Sequence, residues 1–213
     1  MDWSLVANDG GVAILVIDLE GRVHFLNSAA ARVLAKRPQR DALGQRLADL
    51  LPPAAAAERL DLVRQTIQTG APVILRDLWG GYAMRATIRR VDNYPGVAGS
   101  VALWTACQES AFLDDGADED GARVVQARHV DLGPLSCLTA SELKVLALIG
   151  EGMTNAEIAA TLHRAVKTVE SHRAALTDKT GSTSRVQLGA LARRAGLAKR
   201  LSLNGSSPVS VHG

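Results

Sequence analysis

The run "TNAEIAATLHRAVKTVESH", Thr154 to His172, gathers side chains that could touch a polyanion. If residues from Lys167 onward are helical, Val169 and Leu176 lie on one face, two turns apart. Lys167, Glu170, Ser171 and Ala174 then share the opposite face, with Arg173 flanking them. An acid, a hydroxyl and a methyl group between cations can hydrogen-bond or pack against base edges while the cations pair with phosphates. Thr168, Lys179 and Arg185 are further phosphate candidates, as are Thr154 and Asn155 at a helix start that favours anions. His172 is one turn from both Val169 and Leu176, so it is expected to pack and to hydrogen-bond backbone or phosphate rather than read a base. No second ligand is spaced near it for a metal. The chain offers no nucleophile–base pair, metal cluster or phosphate-cradling loop, which argues against an enzyme.

Short helices must position that face. Thr139-Ala-Ser-Glu142, Thr154-Asn-Ala-Glu157 and Ser184-Arg-Val-Gln187 each fit the reciprocal capping pattern of a helix start. Apolar residues recur at helical spacing: Leu143, Leu146 and Ile149; Ile158 and Leu162; Val169 and Leu176; Val186, Leu188 and Leu191. Gly152 and Gly181 stand where helices should stop. Only about three residues separate Leu162 from the next helix, which fits a helix-turn-helix. The spacing alone fits an ordinary helical hairpin equally well. The charge favours DNA: residues 135–200 carry 10 basic and 5 acidic groups.

The segment "LTASELKVLALIGEGMTNAEIAATL", followed by "KTVESH", "DKTG" and "SRVQLGALA", resembles the LuxR-type helix-turn-helix domain over about 65 residues. The resemblance implies sequence-specific binding of double-stranded DNA by a homodimer. It maps the base-reading positions onto Glu170, Ser171 and Ala174. It also implies that the last helix, Ser184 to Ala195, is the pairing surface, where Leu188 and Leu191 with Ala190 and Ala192 give an apolar, close-packing face. The chain departs from the pattern at Ala165, which stands where a capping Ser or Thr is usual, and at Arg164 in the preceding turn. Loss of the cap costs about 1 kcal/mol.

The chain has 213 residues, 47% of them hydrophobic and 3% aromatic, with a net charge of +2. Residues 109–134 read as an acidic linker closed by Pro134, within which Ala122 to His129 could form a short helix. All seven aromatic residues lie at Phe112 or earlier, so the flanks have different cores and form two domains. Residues 201–213 read as a flexible tail. Cys107 and Cys137 form no CxxC pair, which fits a reducing compartment. The N-terminus has no basic leader and Val12 to Ile17 is too short to span a membrane. A cytoplasmic protein without membrane partners is expected.

Residues 1–108 open with two β-rich runs, Val12 to Ile17 and Val23 to Leu26, around a turn at Asp18–Gly21. A helix follows from "NSAAARVLAK", with Asn27 or Ser28 as N-cap, and another from "AAAAERLDLVRQTIQTG" ending at Gly70. Strands are expected at Val73–Leu78, Tyr82–Val91 and Val97–Ala106. The order implies α+β with an antiparallel sheet. Asp18, Gly21, Val23, Phe25, Asn27, Ala29 and Ala30, then "LGQRLADLLP" from Leu43, resemble a PAS domain over about residues 8–108. That resemblance implies ligand sensing or dimerisation, but the cysteine and histidine that mark flavin and haem members are missing, so no cofactor is assigned. His24 is expected to face outward, because Val23 and Phe25 alternate inward.

Together these residues describe a transcriptional regulator: an α+β PAS-like domain, an acidic linker and an all-α four-helix DNA-binding domain at residues 135–200. A sigma-factor-like polymerase-recruiting protein and a cofactor-bound redox sensor or enzyme are the alternatives. RNA polymerase and a small-molecule ligand of the PAS-like domain remain open as partners.

Overall fold

The computed structural model describes residues 11–36, 38–109 and 121–197, and divides into two compact units, the first holding the residues up to Val130 apart from 80–83, the second holding 80–83 and the residues from Asp131 on. The tail at 201–213 and the acidic stretch 110–120 lie outside the described residues.

In the first unit, strands β1 (Ala13–Ile17) and β2 (Val23–Leu26) form the expected hairpin. Asp18 closes it: its Oδ1 accepts from the Glu20 and Arg22 amides, and its Oδ2 lies 2.7 Å from His24 Nε2. His24 is half-buried, held on the turn that Asp18 builds. Asn27, fully buried, is the N-cap of helix α1 (Ser28–Ala30). Its amide also ties back to β1, accepting from Ile14 N and donating to Val12 O. The helix continues as a π turn at Ala31–Ala35, so the ten-residue helix read from "NSAAARVLAK" is not regular. Two single turns follow, α2 (Gln39–Ala42) and α3 (Leu47–Leu50), then the long helix α4 (Pro53–Thr69), which stops at Gly70 in the left-handed region (φ 74).

Strands β3 (Val73–Trp79) and β4 (Tyr82–Val91) flank Gly80 and Gly81, both at positive φ as a tight hairpin requires. Strand β5 (Val101–Gln108) starts four residues later than the sequence suggests. Asn93, Gly96 and Gly99 all take positive φ, which keeps Val97 and its neighbours in a loop. The stretch expected as a helix between Ala122 and His129 is instead strand β6 (Arg123–Gln126), parallel to β3 with Val73 opposite Arg123 and Arg76 opposite Gln126. Four residues centred on two valines have little helix propensity, and the edge of β3 offers them a complete set of backbone partners. The sheet order is β2-β1-β5-β4-β3-β6, so the sheet is mixed, and part of the expected linker belongs to it.

The second unit is helical. A 3₁₀ turn (Gly133–Cys137) leads into α5 (Ala140–Gly150), α6 (Asn155–Thr161), α7 (Val166–Thr180) and α8 (Arg185–Arg194). Both partners of the capping boxes at Thr139–Glu142 and Thr154–Glu157 form. At the third, Ser184 accepts from Gln187 N, but Gln187 Oε1 turns to Thr183 instead, so only half of that box exists. Val145, Leu146, Ile158, Val169, Leu176, Leu188 and Ala192 make the core. Gly150 lets α5 and α8 approach closely: a Cβ there would sit 2.7 Å from that of Ala192.

Candidate nucleic-acid interface

Helices α6 and α7 are joined by Leu162 to Ala165. His163 takes the left-handed conformation (φ 51), while its amide and that of Arg164 return to the carbonyls of Ala160 and Ala159. These bonds satisfy the end of α6 and reverse the chain within four residues. Helix α7 then starts after Ala165 with no side-chain cap, as the sequence departure implies.

The helix has a buried and an exposed side. Val169 and Leu176 are 1% and 0% exposed. Lys167, Thr168, Glu170, Ser171, Arg173 and Ala174 are all exposed. The face read from the sequence is therefore assembled as one surface. Ser171 Oγ donates to the Lys167 carbonyl at 3.0 Å, which leaves its lone pairs free to accept. Among the described residues, Glu170 joins no ion pair, so neither Lys167 nor Arg173 neutralises it. His172 is half-buried beside the core positions.

Four of the expected phosphate contacts, Lys179, Arg185, Asn155 and Thr154, have partners within the protein. Lys179 Nζ sits 2.9 and 2.8 Å from the two carboxylate oxygens of Glu142, a side chain 7% exposed. It locks the end of α7 to the start of α5 and is not a free cation at the surface. The lysine ammonium, ahead of the Thr139 amide, holds the Glu142 carboxyl below its usual range. Arg185 Nη1 donates to Asn155 Oδ1 at 3.2 Å, tying the start of α8 to the start of α6. The hydroxyl of Thr154 is engaged with Glu157, donating to Oε2 at 2.8 Å and accepting from its amide. That carboxylate already serves the amide of Thr154, chiefly through which its pKa is lowered, so Thr154 offers a phosphate little beyond backbone.

Leu188 is corrected as a pairing residue. It is 1% exposed and packs in the core of its own unit, in phase with Ala192 and Ala195. Leu191 is half-buried and Ala190 exposed, while Val186, one of the apolar residues at helical spacing, is 76% exposed. The apolar outer surface of α8 is thus carried by Val186, Ala190 and Leu191.

Sequence reasoning missed a polar cluster in the first unit. Arg59 of α4 is fully buried. Its Nη2 donates to Asp77 of β3, its Nη1 to the Ala55 carbonyl, and both nitrogens approach the His129 carbonyl. Its guanidinium lies 4.7 Å above the Trp79 ring. The signal was present. Arg59 occupies the stripe of Ala55, Ala56, Leu62, Val63 and Ile67, and Asp77, beside Arg76, interrupts a strand that is apolar at its other five positions.

Residues 136–192 match the model of the bacterial regulatory proteins of the luxR family, and residues 8–96 match that of the PAS fold. No curated protein matches the chain. Among solved structures, a Vibrio cholerae VqmA–ligand–DNA complex is 23% identical, covers 98% of this chain and 91% of that chain, and has a TM-score of 0.50. The VqmA dimer of the same organism without its target DNA is 25% identical over 92% and 87%, with a TM-score of 0.44. The PAS domain of nitrogen regulation protein NR(II) from Vibrio parahaemolyticus is 18% identical over 51% and 99%, with a TM-score of 0.40. A PAS fold over residues 8–96 replaces the promoter-melting helices that a polymerase-recruiting protein would need there.

Proposed function

We propose, for a transcriptional regulator that joins a PAS fold to a DNA-binding domain of the luxR family, that α7 reads its operator through Glu170, Ser171 and Ala174. Lys167, Thr168 and Arg173 supply the phosphate grip. Asn155 and Arg185 flank it as a braced pair, and Thr154 contributes through its backbone. Two copies bind together through the outer face of α8, with Leu191 and Val186 at its centre, and the PAS fold receives the signal. No helix among the described residues is long and apolar enough to cross a membrane, which supports a cytoplasmic site of action. The VqmA structures include a dimer and a complex with ligand and DNA, and the same division of labour is proposed here.

The observation that carries the reading is Glu170, in no ion pair among the described residues, on an exposed face that also carries Lys167 and Arg173. A carboxylate there repels phosphate unless it accepts a hydrogen bond, and the N4 amino group of cytosine is the major-groove donor that fits. Selection of duplexes from a randomised library by the full chain, compared with Glu170→Ala, tests it. The expected result is relaxed preference at one base pair of each half-site, worth about 1–3 kcal/mol. Uniformly tighter binding to every sequence would make Glu170 a repulsive charge and refute the reading.

A further inference from the structure

Among the described residues, Leu19, Leu43, Val124, Val166 and Val186 are large apolar side chains that stand exposed. Only Val166 and Val186 belong to the second unit. Val186 lies on the outer face of α8, where the pairing role accounts for it. Val166 is the first residue of α7, is 43% exposed, and has no role in the reading given so far.

The start of α7 is unfavourable for the fold. Ala165 stands at the cap with no side-chain atom to accept an amide, and a β-branched residue follows it. The first turn is closed by backbone alone: the Thr168 and Val169 amides donate to the Ala165 carbonyl at 3.0 and 3.3 Å. Ala165 is exposed, as Val166 is, so burial of neither offsets the lost cap. Arg164 before them and Lys167 after them are exposed too. The tip of the helix is thus an apolar spot with a cation on either side.

That spot heads the reading row. Residues four apart follow one another along a ridge of a helix, and Val166, Glu170 and Ala174 are such a series, all exposed. Lys167 and Ser171 form the adjacent row, tied by the bond from Ser171 Oγ to the Lys167 carbonyl. A helix of this motif contacts base edges through its N-terminal residues. Its first residue therefore reaches the groove with Glu170. Valine suits one group on the major-groove edges, the C5 methyl of thymine. A base carbonyl, amino group or ring nitrogen would lose water to it and gain no hydrogen bond.

Resting on the reading of α7 as the operator-reading helix, we infer that Val166 is a further specificity residue, which seats its methyl groups against the C5 methyl of a thymine. The step from Val166 to Glu170 spans about 6 Å of helix. The thymine therefore lies within about two base-pair steps of 3.4 Å from the cytosine that Glu170 reads. The half-site carries two neighbouring preferences of different kind, one made by a hydrogen bond and one by apolar contact alone.

Selection of duplexes from a randomised library by the full chain is compared with selection by Val166→Ala and by Glu170→Ala. Val166→Ala removes exposed methyl groups and raises helix propensity, and melting followed by circular dichroism checks that it is folded. It is expected to relax a thymine preference at one position and to keep the preference at the Glu170 position. Uracil in place of that thymine should weaken the wild type about three- to fourfold, the contribution of one buried methyl group. The same replacement should weaken Val166→Ala by no more than about 1.5-fold. A wild type indifferent to uracil at every thymine overturns the methyl contact without recourse to a variant. A thymine preference that survives Val166→Ala, while Glu170→Ala relaxes its own position, overturns the role of Val166 and leaves the reading of α7 standing. Equal loss on every duplex makes Val166 a backbone contact and overturns its role as well. If neither variant alters the selected sequence, α7 does not read the operator and both inferences fail.

Discussion

Replacing Lys179 with methionine separates two roles that one lysine could play. If it grips phosphate, DNA binding weakens on all sequences, the salt slope falls by about one, and the fold is untouched. If it locks Glu142, the helical unit loses stability and the salt slope holds. The geometry favours the second outcome. Two charge-assisted hydrogen bonds of 2.8–2.9 Å end on a carboxylate that is 7% exposed. The lysine side chain is 36% exposed, so screening trims the gain, and Glu142 keeps its bond from Thr139 N when the lysine is gone. The expected loss is about 1–2 kcal/mol, or roughly 5–10 °C for a helical unit of this size. The assay follows unfolding of the intact chain by far-ultraviolet circular dichroism and, separately, by tryptophan fluorescence. Trp3, Trp79 and Trp104 all precede the helical unit, so its transition is the one that dichroism sees and fluorescence does not. A Glu142→Gln partner completes a double-mutant cycle. An unchanged helical transition together with a shallower salt slope would refute the lock.

The same pair sets an acid limit. The Glu142 carboxyl is held below its usual value of 4.5, first by Lys179, so its contribution is complete above that value and is lost as pH falls through the lower folded one. The helical unit should therefore lose stability below about pH 4.5, and Lys179→Met should flatten that dependence when melting is measured across the range. On α8, Leu188→Ala should cost about 2–4 kcal/mol of stability through a core cavity. Leu191→Glu and Val186→Glu should stay folded and lose cooperative binding to a two-half-site duplex in gel-shift titrations. Normal binding by both surface variants would move the pairing surface elsewhere.

The helical unit was legible because its information is local. Thr139 and Thr154 declare helix starts within three residues, and the positive-φ Gly181 declares a stop. The exposed face of α7 followed from the period of Val169 and Leu176. Legibility ended where a residue's partner is far along the chain. Nothing near Lys179 announces Glu142, 37 residues earlier, and nothing near Arg123 announces the open edge of β3. On α8 the error was one of phase. Leu188 and Leu191 are a turn apart, yet Gly150 draws the helix onto the side that carries Leu188, Ala192 and Ala195. The Arg59–Asp77 pair was readable as two charges at inward positions, but not as a pair.

Strand β6 has a consequence for the solubility of the chain. It covers the outer edge of β3 with four residues in parallel register, the weaker kind of ladder. Beneath it lies "VILRDLW", seven residues broken only by Arg76 and Asp77, and Asp77 is turned inward to Arg59. When β6 peels away, that strand presents a bare row of amides and carbonyls, a template for any second chain in the same state. A segment whose neighbours lead toward the DNA-binding domain is thus also the guard against self-association. Mutations that weaken β6 should be recognised in the cell as precipitated protein before they are recognised as altered transcription.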